Sequence, residues 1–433
     1  MTKQADFKNK IRARMEKTGE RYAAARHALL RQADASPSAL PTVPAYTFRR
    51  GYERDHSLLT SALAQAGVTD PASGEAFTET RLFGLSGGIG FMSFLFEYAG
   101  HAPMLTFVCR SWSMPGPVIT RALTTAGIEH ALSETGSAKA ARAFLDQALE
   151  RGAAVHATID WASLPLAGMS AMWTGGMPRQ ANFVGRDGDD YVLDVGAPLR
   201  LAPAEVARVR GAAKKEKHRA FTFLPGPATE DPVAATRAAV QGTARAMVEA
   251  PFRNFASNFG LAALEKQARL CVDAKDKRGW PRVFGSGPLA ARALWRTWEC
   301  VTLELTAPAG SRALYADFLE ESARLPGLEE LAEAAKLARD SAELFAKLAD
   351  DIVATTPEVA AAVTISEEMD ELQRVSPESA GQQVKEMRAL REEHLQQCAL
   401  EEEARLEAFA RVGAAFAAIH AVETELQKAL AGL

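Results

Sequence analysis

Asp55-His56-Ser57-Leu58-Leu59-Thr60-Ser61-Ala62-Leu63 and, after a turn-rich insert, Glu79-Thr80-Arg81-Leu82-Phe83-Gly84-Leu85-Ser86-Gly87-Gly88-Ile89-Gly90-Phe91 form the stretch on which the fold is decided. In the first piece Leu58, Leu59, Ala62, Leu63 and Ala66 recur at helical spacing, and Gly67 follows where a helix would stop. Ser57 therefore sits at a helix N-terminus. In the second piece Gly84, Gly87, Gly88 and Gly90 cluster between Phe83 and Phe91, so the backbone turns sharply or approaches another element closely. A polar residue at a helix start beside a glycine-rich turn makes a candidate site.

Outward from this stretch the chain divides by pattern. Residues 3–34 read as one charged helix carrying Phe7, Ile11, Met15, Tyr22 and Leu29, closed by the proline-rich linker Ser36-Pro37-Ser38-Ala39-Leu40-Pro41-Thr42-Val43-Pro44. From Tyr46 to about Pro225 helices and strands alternate, as in an α/β or α+β domain. Strands are expected over 104–109, 154–161 and 220–224. Helices are expected over 118–126, from Ser137 to Gly152, and from Pro203 onward. A hairpin pairs 181–184 with 191–195 around Asp187-Gly188-Asp189. After Pro232 the pattern is helical throughout, with Trp295 and Trp298 as anchors, and Pro377 separates one helix from a long final one. In that last helix Phe409, Val412, Phe416, Ile419, Leu426 and Leu430 form a stripe broken at Glu423. The stripe is either an intrachain bundle face or a seam with a second copy of the chain, a homodimer through the C-terminal helices. The expected division is an N-terminal helix and linker over 1–45, an α+β domain over 46–230 and an all-α domain over 231–433.

A chain of 433 residues is too long for one ordinary core. Charged residues make up 24% and hydrophobic residues 47%, and a net charge of −4 gives no reason to expect nucleic acid as a partner. The basic run Lys214-Lys215-Glu216-Lys217-His218-Arg219 reads as a solvated face. Cys109, Cys271, Cys300 and Cys398 are scattered without metal-ligand spacing, so no metal, cofactor or disulfide framework is expected. Met1-Thr2-Lys3-Gln4 lacks an apolar signal core and no apolar run reaches spanning length, so the expectation is a soluble cytoplasmic protein without a membrane partner. The glycine run lacks the Lys-Ser or Lys-Thr of a phosphate loop.

Taken together, Asp55-His56-Ser57, the run Phe83 to Phe91, the strand His156-Ala157-Thr158-Ile159-Asp160-Trp161-Ala162-Ser163-Leu164-Pro165 and the hairpin strand Tyr191-Val192-Leu193-Asp194 resemble the N-terminal domain of butirosin biosynthesis protein H. The later segment, with Asn258-Phe259-Gly260-Leu261 and Ala309-Gly310-Ser311-Arg312-Ala313-Leu314-Tyr315-Ala316-Asp317-Phe318-Leu319, is similar to the uncharacterised helical domain that accompanies it. The resemblance implies a papain-like cysteine-peptidase fold recruited for acyl transfer, from an acyl carrier protein thioester to an amine. The family pattern of cysteine, histidine and aspartate falls here on Ser57, Gln180 and Asp194, and only the last keeps the expected type.

The departures matter chemically. A cysteine at a helix start is activated because its thiolate lies near neutrality, whereas a serine hydroxyl needs a general base. The amide of Gln180 is no base. Other residues placed at the site are His56, Gly87, Gly88, His156, Asp160 and Trp161. His56 adjoins Ser57, but consecutive side chains at a helix start point apart. His156 shares strand parity with Thr158 and Asp160, and either faces a cleft with Asp160 as its orienter or packs within the sheet. Gly84, Gly87 and Gly88 let the chain pass close to the central helix. Trp161, Met169, Met172, Trp173 and Met177 either line an acyl or peptide groove or pack in a core. Three functions follow: an acyltransferase-like enzyme of natural-product or modified-peptide biosynthesis with a degenerate site; a non-catalytic relative, a pseudoenzyme that binds an acyl group, a carrier protein or a peptide; or a structural or scaffold subunit for another enzyme.

Overall fold

The computed structural model describes residues 40–433, so the charged N-terminal helix read over 3–34 lies outside the described residues. The first part is α+β and the second all-α. In chain order the elements are helix α1 (Arg54–Gln65), β1 (Val68–Thr69), α2 (Glu79–Leu85), β2 (Ile89–Phe96), β3 (Met104–Arg110), α3 (Pro115–Ala126), β4 (His130–Ser133), α4 (Ala138–Glu150), β5 (Val155–Asp160), β6 (Pro178–Asp187), β7 (Asp190–Asp194), β8 (Pro198–Leu201), α5 (Pro203–Ala212), β9 (Ala220–Phe223) and β10 (Gly226–Pro227). Nine helices follow among the described residues: α6 (Pro232–Ala246), α7 (Gly260–Leu270), α8 (Trp280–Val283), α9 (Gly287–Thr302), α10 (Arg312–Ser322), α11 (Leu331–Val353), α12 (Pro357–Val375), α13 (Ala380–Gln397) and α14 (Glu402–Ala431).

A six-stranded antiparallel sheet runs in the order β4-β9-β5-β6-β7-β8. Alternation gives its central strands two different faces. Val155, Ala157 and Ile159 of β5 and Ala181 and Phe183 of β6 point into an apolar cluster with Val206 and Val209 of α5 and with Ile365, Met369 and Val384 of the late helices. The residues between them, His156, Thr158, Asp160, Gln180 and Asn182, form a polar face that is also buried. Helix α1 lies across that face, held where Asn182 Nδ2 donates to Leu58 O at 2.7 Å.

Strands β2 and β3 form a separate antiparallel hairpin. Sequence reading takes 84–91 as a turn, but its second half is a strand. Gly90 is required there because a Cβ would press on the Arg110 carbonyl across the ladder. Phe91 and Phe107 stack at 5.4 Å on this hairpin, and Phe416 of α14 meets them at 5.8 and 5.5 Å. The largest core thus takes in Phe83, Ile89, Phe91, Leu105 and Phe107 together with the helices after Pro232.

Gly84 and Gly88 face this helical part and Gly87 faces α3, so these three do not pack on α1. A Cβ on Gly84 would enter the ring of Phe318, one on Gly88, at φ +56°, would enter the ring of Tyr315, and one on Gly87 would strike Arg121. The final region also differs from its reading: α13 and α14 are separated by an extended link in which Cys398 is buried at 2% exposure, with no proline or glycine to announce it. The stripe Phe409, Val412, Phe416, Ile419, Leu426 and Leu430 is buried in the chain's own core. Its interruption, Glu423, is buried too, bound to Arg312 Nε at 2.7 Å and to Ser341 Oγ at 2.8 Å. No helix among the described residues is long and apolar enough to cross a membrane.

Candidate functional site

Helix α1 begins one turn earlier than the apolar spacing suggests. Glu53 is its N-cap, and the Glu53 carboxylate accepts from His56 N at 3.0 Å. Ser57 is therefore the fourth helical residue, and its N–H is already spent on Glu53 O at 3.0 Å. The incoming chain crosses directly over it, since a Cβ on Gly51 would collide with the Ser57 side chain. Ser57 is 7% exposed, and its hydroxyl's hydrogen-bond partner among the described residues is the Arg49 carbonyl at 3.4 Å. Among the described residues no hydrogen bond joins Ser57 to a histidine, to Gln180 or to Asp194.

The other two aligned residues have partners of their own. Gln180 Nε2 donates to Thr158 Oγ1 at 3.2 Å across the sheet, and its backbone N–H reaches Asp55 Oδ1 at 3.3 Å. Asp194 accepts from Tyr46 at 2.7 Å and from Gly196 N at 2.9 Å. Burial still pushes its carboxyl up to about 6 against those bonds. His156 binds Asn182 Oδ1 at 2.7 Å and not Asp160, which instead accepts from Ser163 at 2.5 Å and from Met177 N at 3.1 Å. The reading of Asp160 as orienter of His156 is thus replaced by Asn182, the cross-strand neighbour in register. Burial presses the His156 imidazole down to about 4, and its Nε2, like Gln180 Oε1, has no hydrogen-bond partner among the described residues.

His56 turns away from Ser57 into a relay. Its Nδ1 faces Glu53 Oε2 at 2.5 Å and its Nε2 faces Ser86 Oγ at 2.8 Å. The connectivity is that of a Ser-His-acid triad, yet the Ser86 hydroxyl also lies 2.7 Å from the Phe83 carbonyl, to which it donates. A hydroxyl has one proton to give, so while Ser86 donates to the Phe83 carbonyl it does not donate to Nε2, and His56 is not its base in that arrangement. The relay ties α1 to the glycine turn. Arg110 completes it: Nη1 reaches both Glu53 Oε1 and Asp55 Oδ2 at 2.7 Å. Burial pushes the Glu53 carboxyl up, but Arg110 and His56 outweigh it and hold it well below the usual carboxylate range.

Beside the start of α1 opens a cavity of about 660 Å³ between the sheet, the β2–β3 hairpin and helices α9, α12 and α13. This is a normal size for a small-molecule site. Trp161, Met169, Met172, Trp173 and Met177, the five residues read from sequence as groove or core, all line it. Trp161 is the one residue of the sequence-derived site on this wall; Ser57, Gln180, Asp194, His56, His156, Asp160, Gly87 and Gly88 lie behind it or elsewhere. Glu53, Asp55, Arg54 and Arg179 face the cavity, with Glu304, Asp370 and Arg374 contributed by the helical part. Sequence reasoning missed this cluster because its members come from four separate stretches of chain, although Glu53-Arg54-Asp55 runs directly into His56 and Ser57.

Residues 55–175 match the family model described as "Butirosin biosynthesis protein H, N-terminal", and residues 204–380 match the model described as "Domain of unknown function (DUF4872)". Among curated proteins, none matches the chain.

Proposed function

From the chain's two-part build, a butirosin biosynthesis protein H-like N-terminal segment followed by a DUF4872 segment, we propose that this protein binds an acyl-bearing ligand in the cavity beside α1, as a non-catalytic relative within natural-product or modified-peptide biosynthesis. The observation that carries this reading is the wall itself: three tryptophans and five methionines, the methionines polarizable and conformationally adaptable, gathered around a space of ligand size. Helix α1 packed on the sheet is the arrangement that a papain-like ancestry would leave behind. An acyl group delivered on a carrier protein or a peptide is the occupant that this ancestry favours.

Acyl transfer through Ser57 is the second reading, favoured by the place of Ser57 in the first turn of α1. Among the described residues it has no base, since the hydroxyl meets a backbone carbonyl. One experiment separates the two. Incubation with decanoyl-CoA, followed by intact-mass analysis and a tryptophan fluorescence titration, is expected to give saturable binding and no covalent decanoyl adduct. Ser57→Ala is expected to bind within about twofold of wild type, and Trp161→Ala at least about tenfold more weakly, as when a buried aromatic anchor is lost. A decanoyl adduct on wild type that Ser57→Ala abolishes would replace the binding reading by the enzymatic one.

A further inference from the structure

Resting on the reading of this cavity as the ligand site, we propose that its ligand carries an oxyanion, a carboxylate or a phosphate, received by Arg54 and Arg179. Among the described residues the acids of the wall leave guanidinium donors of Arg54 and Arg179 unfilled. The Arg54 guanidinium lies over the Trp161 ring at 4.1 Å, and its ion-pair partner Asp370 is 3.9 Å away, beyond hydrogen-bond reach. Asp370 is engaged more closely by Arg374 Nε, at 2.9 Å. Arg179 is placed in the same way. Its Nη1 reaches the adjacent Pro178 carbonyl at 3.1 Å, while Nη2 stands 3.8 Å from Glu304, whose other oxygen is bound by Arg296.

The acids at this end do not answer those donors. Glu53 and Asp55 also line the wall, but both are taken from behind by Arg110, and Glu53 by His56 as well. Burial, and then the positive charges of Arg374 and Arg179, bring the Arg54 guanidinium down to about 10, although Asp370 and Asp55 oppose the shift. Cations gathered with unfilled donor positions gain when an oxyanion enters, and the planar guanidinium fork donates two parallel hydrogen bonds to a carboxylate or phosphate. Trp161, under Arg54, begins the apolar wall that continues to Met169 and Met177. An anionic head at Arg54 and Arg179 thus leaves the body of the ligand on apolar side chains, and Phe96 and Tyr98, stacked at 6.2 Å and 37% and 49% exposed, extend that surface. The ligand class is an amphipathic acid.

The test titrates the full chain with decanoate, decyl phosphate and decanol, read by tryptophan fluorescence. One or both anions are expected to bind at least about tenfold more tightly than decanol, with the preference shrinking as salt rises; whichever anion binds more tightly identifies the source of the oxyanion. Arg54→Gln and Arg179→Gln are expected to remove that preference and leave decanol binding within about twofold. Arg54→Lys and Arg179→Lys, which keep the charge and lose the fork, are expected to fall between. Thermal unfolding of each variant separates lost binding from lost fold. Equal affinity for decanol and both anions in wild type, or an undiminished preference in both glutamine variants, overturns the oxyanion assignment and leaves the cavity reading standing. Failure of all three probes to bind overturns both.

Discussion

Arg110 is 0% exposed and spends a single nitrogen on two carboxylates, while Nε and Nη2 reach the carbonyls of Trp112 and Ser113 at 2.9 and 3.2 Å. A buried ion pair adds little net stability over an apolar substitute, but removing one member strands the others. Arg110→Met is therefore expected to cost about 3–5 kcal/mol in urea denaturation, and a loss below about 1 kcal/mol would contradict the assigned role. Glu79 gives a pH signature. Its carboxylate accepts from Tyr52 N at 3.0 Å and Glu53 N at 2.5 Å, yet burial raises it from 4.5 to about 7. A raised carboxyl means the folded state binds the proton more tightly, so its contribution is full below pH 4.5 and is lost as the pH climbs to about 7. The stability of wild type relative to Glu79→Gln should fall across that window and level off above it; parallel urea midpoints from pH 5 to 8 would refute the assignment. None of this pairing is legible in sequence, because Arg110 lies 57 positions from Glu53 and 55 from Asp55. Ser57 was legible as a first-turn residue, but the cover over it was not: only Gly51 hints at a chain crossing.

At the scale of elements, the glycine turn is a seat for α10. Phe318 fills the space over Gly84 and Tyr315 that over Gly88. Gly84→Ala should destabilise by about 1–3 kcal/mol as overpacking, and the penalty should shrink in combination with Phe318→Leu; additive penalties in a double-mutant cycle would separate the two positions. The charge in the α14 stripe behaves like Arg110. Glu423→Leu strands Arg312 and should cost about 3–5 kcal/mol, with Arg312→Met/Glu423→Leu recovering much of it in the same denaturation measurement. The β6–β7 hairpin was readable because apolar residues alternate on either side of Asp187-Gly188-Asp189, with Gly188 at φ +61°. Strand β2 was not, since Gly90 and Ser93 interrupt an apolar run that glycine clustering had already marked as a turn. The break between α13 and α14, where Cys398 is buried, carries no local signal.

For the whole molecule, composition after Pro232 revealed a helical region and alternation before it an α+β one, and both are present. What sequence does not reveal is that the largest core ignores that change of class, because shared burial of Phe91, Phe107 and Phe416 is a long-range contact without periodicity. Chemical unfolding should accordingly show coincident transitions by tryptophan fluorescence and far-ultraviolet circular dichroism. Two resolved transitions would mean that the halves fold apart.

The β2–β3 hairpin has a consequence for biosynthesis of the chain. Its aromatic side leaves the ribosome some three hundred residues before the helix that covers it, a delay on the order of tens of seconds at ordinary elongation rates. Through that interval the nascent chain displays a sticky, strand-edged surface, the kind that chaperones hold, so truncation anywhere upstream of α14 should yield aggregate instead of a smaller working protein.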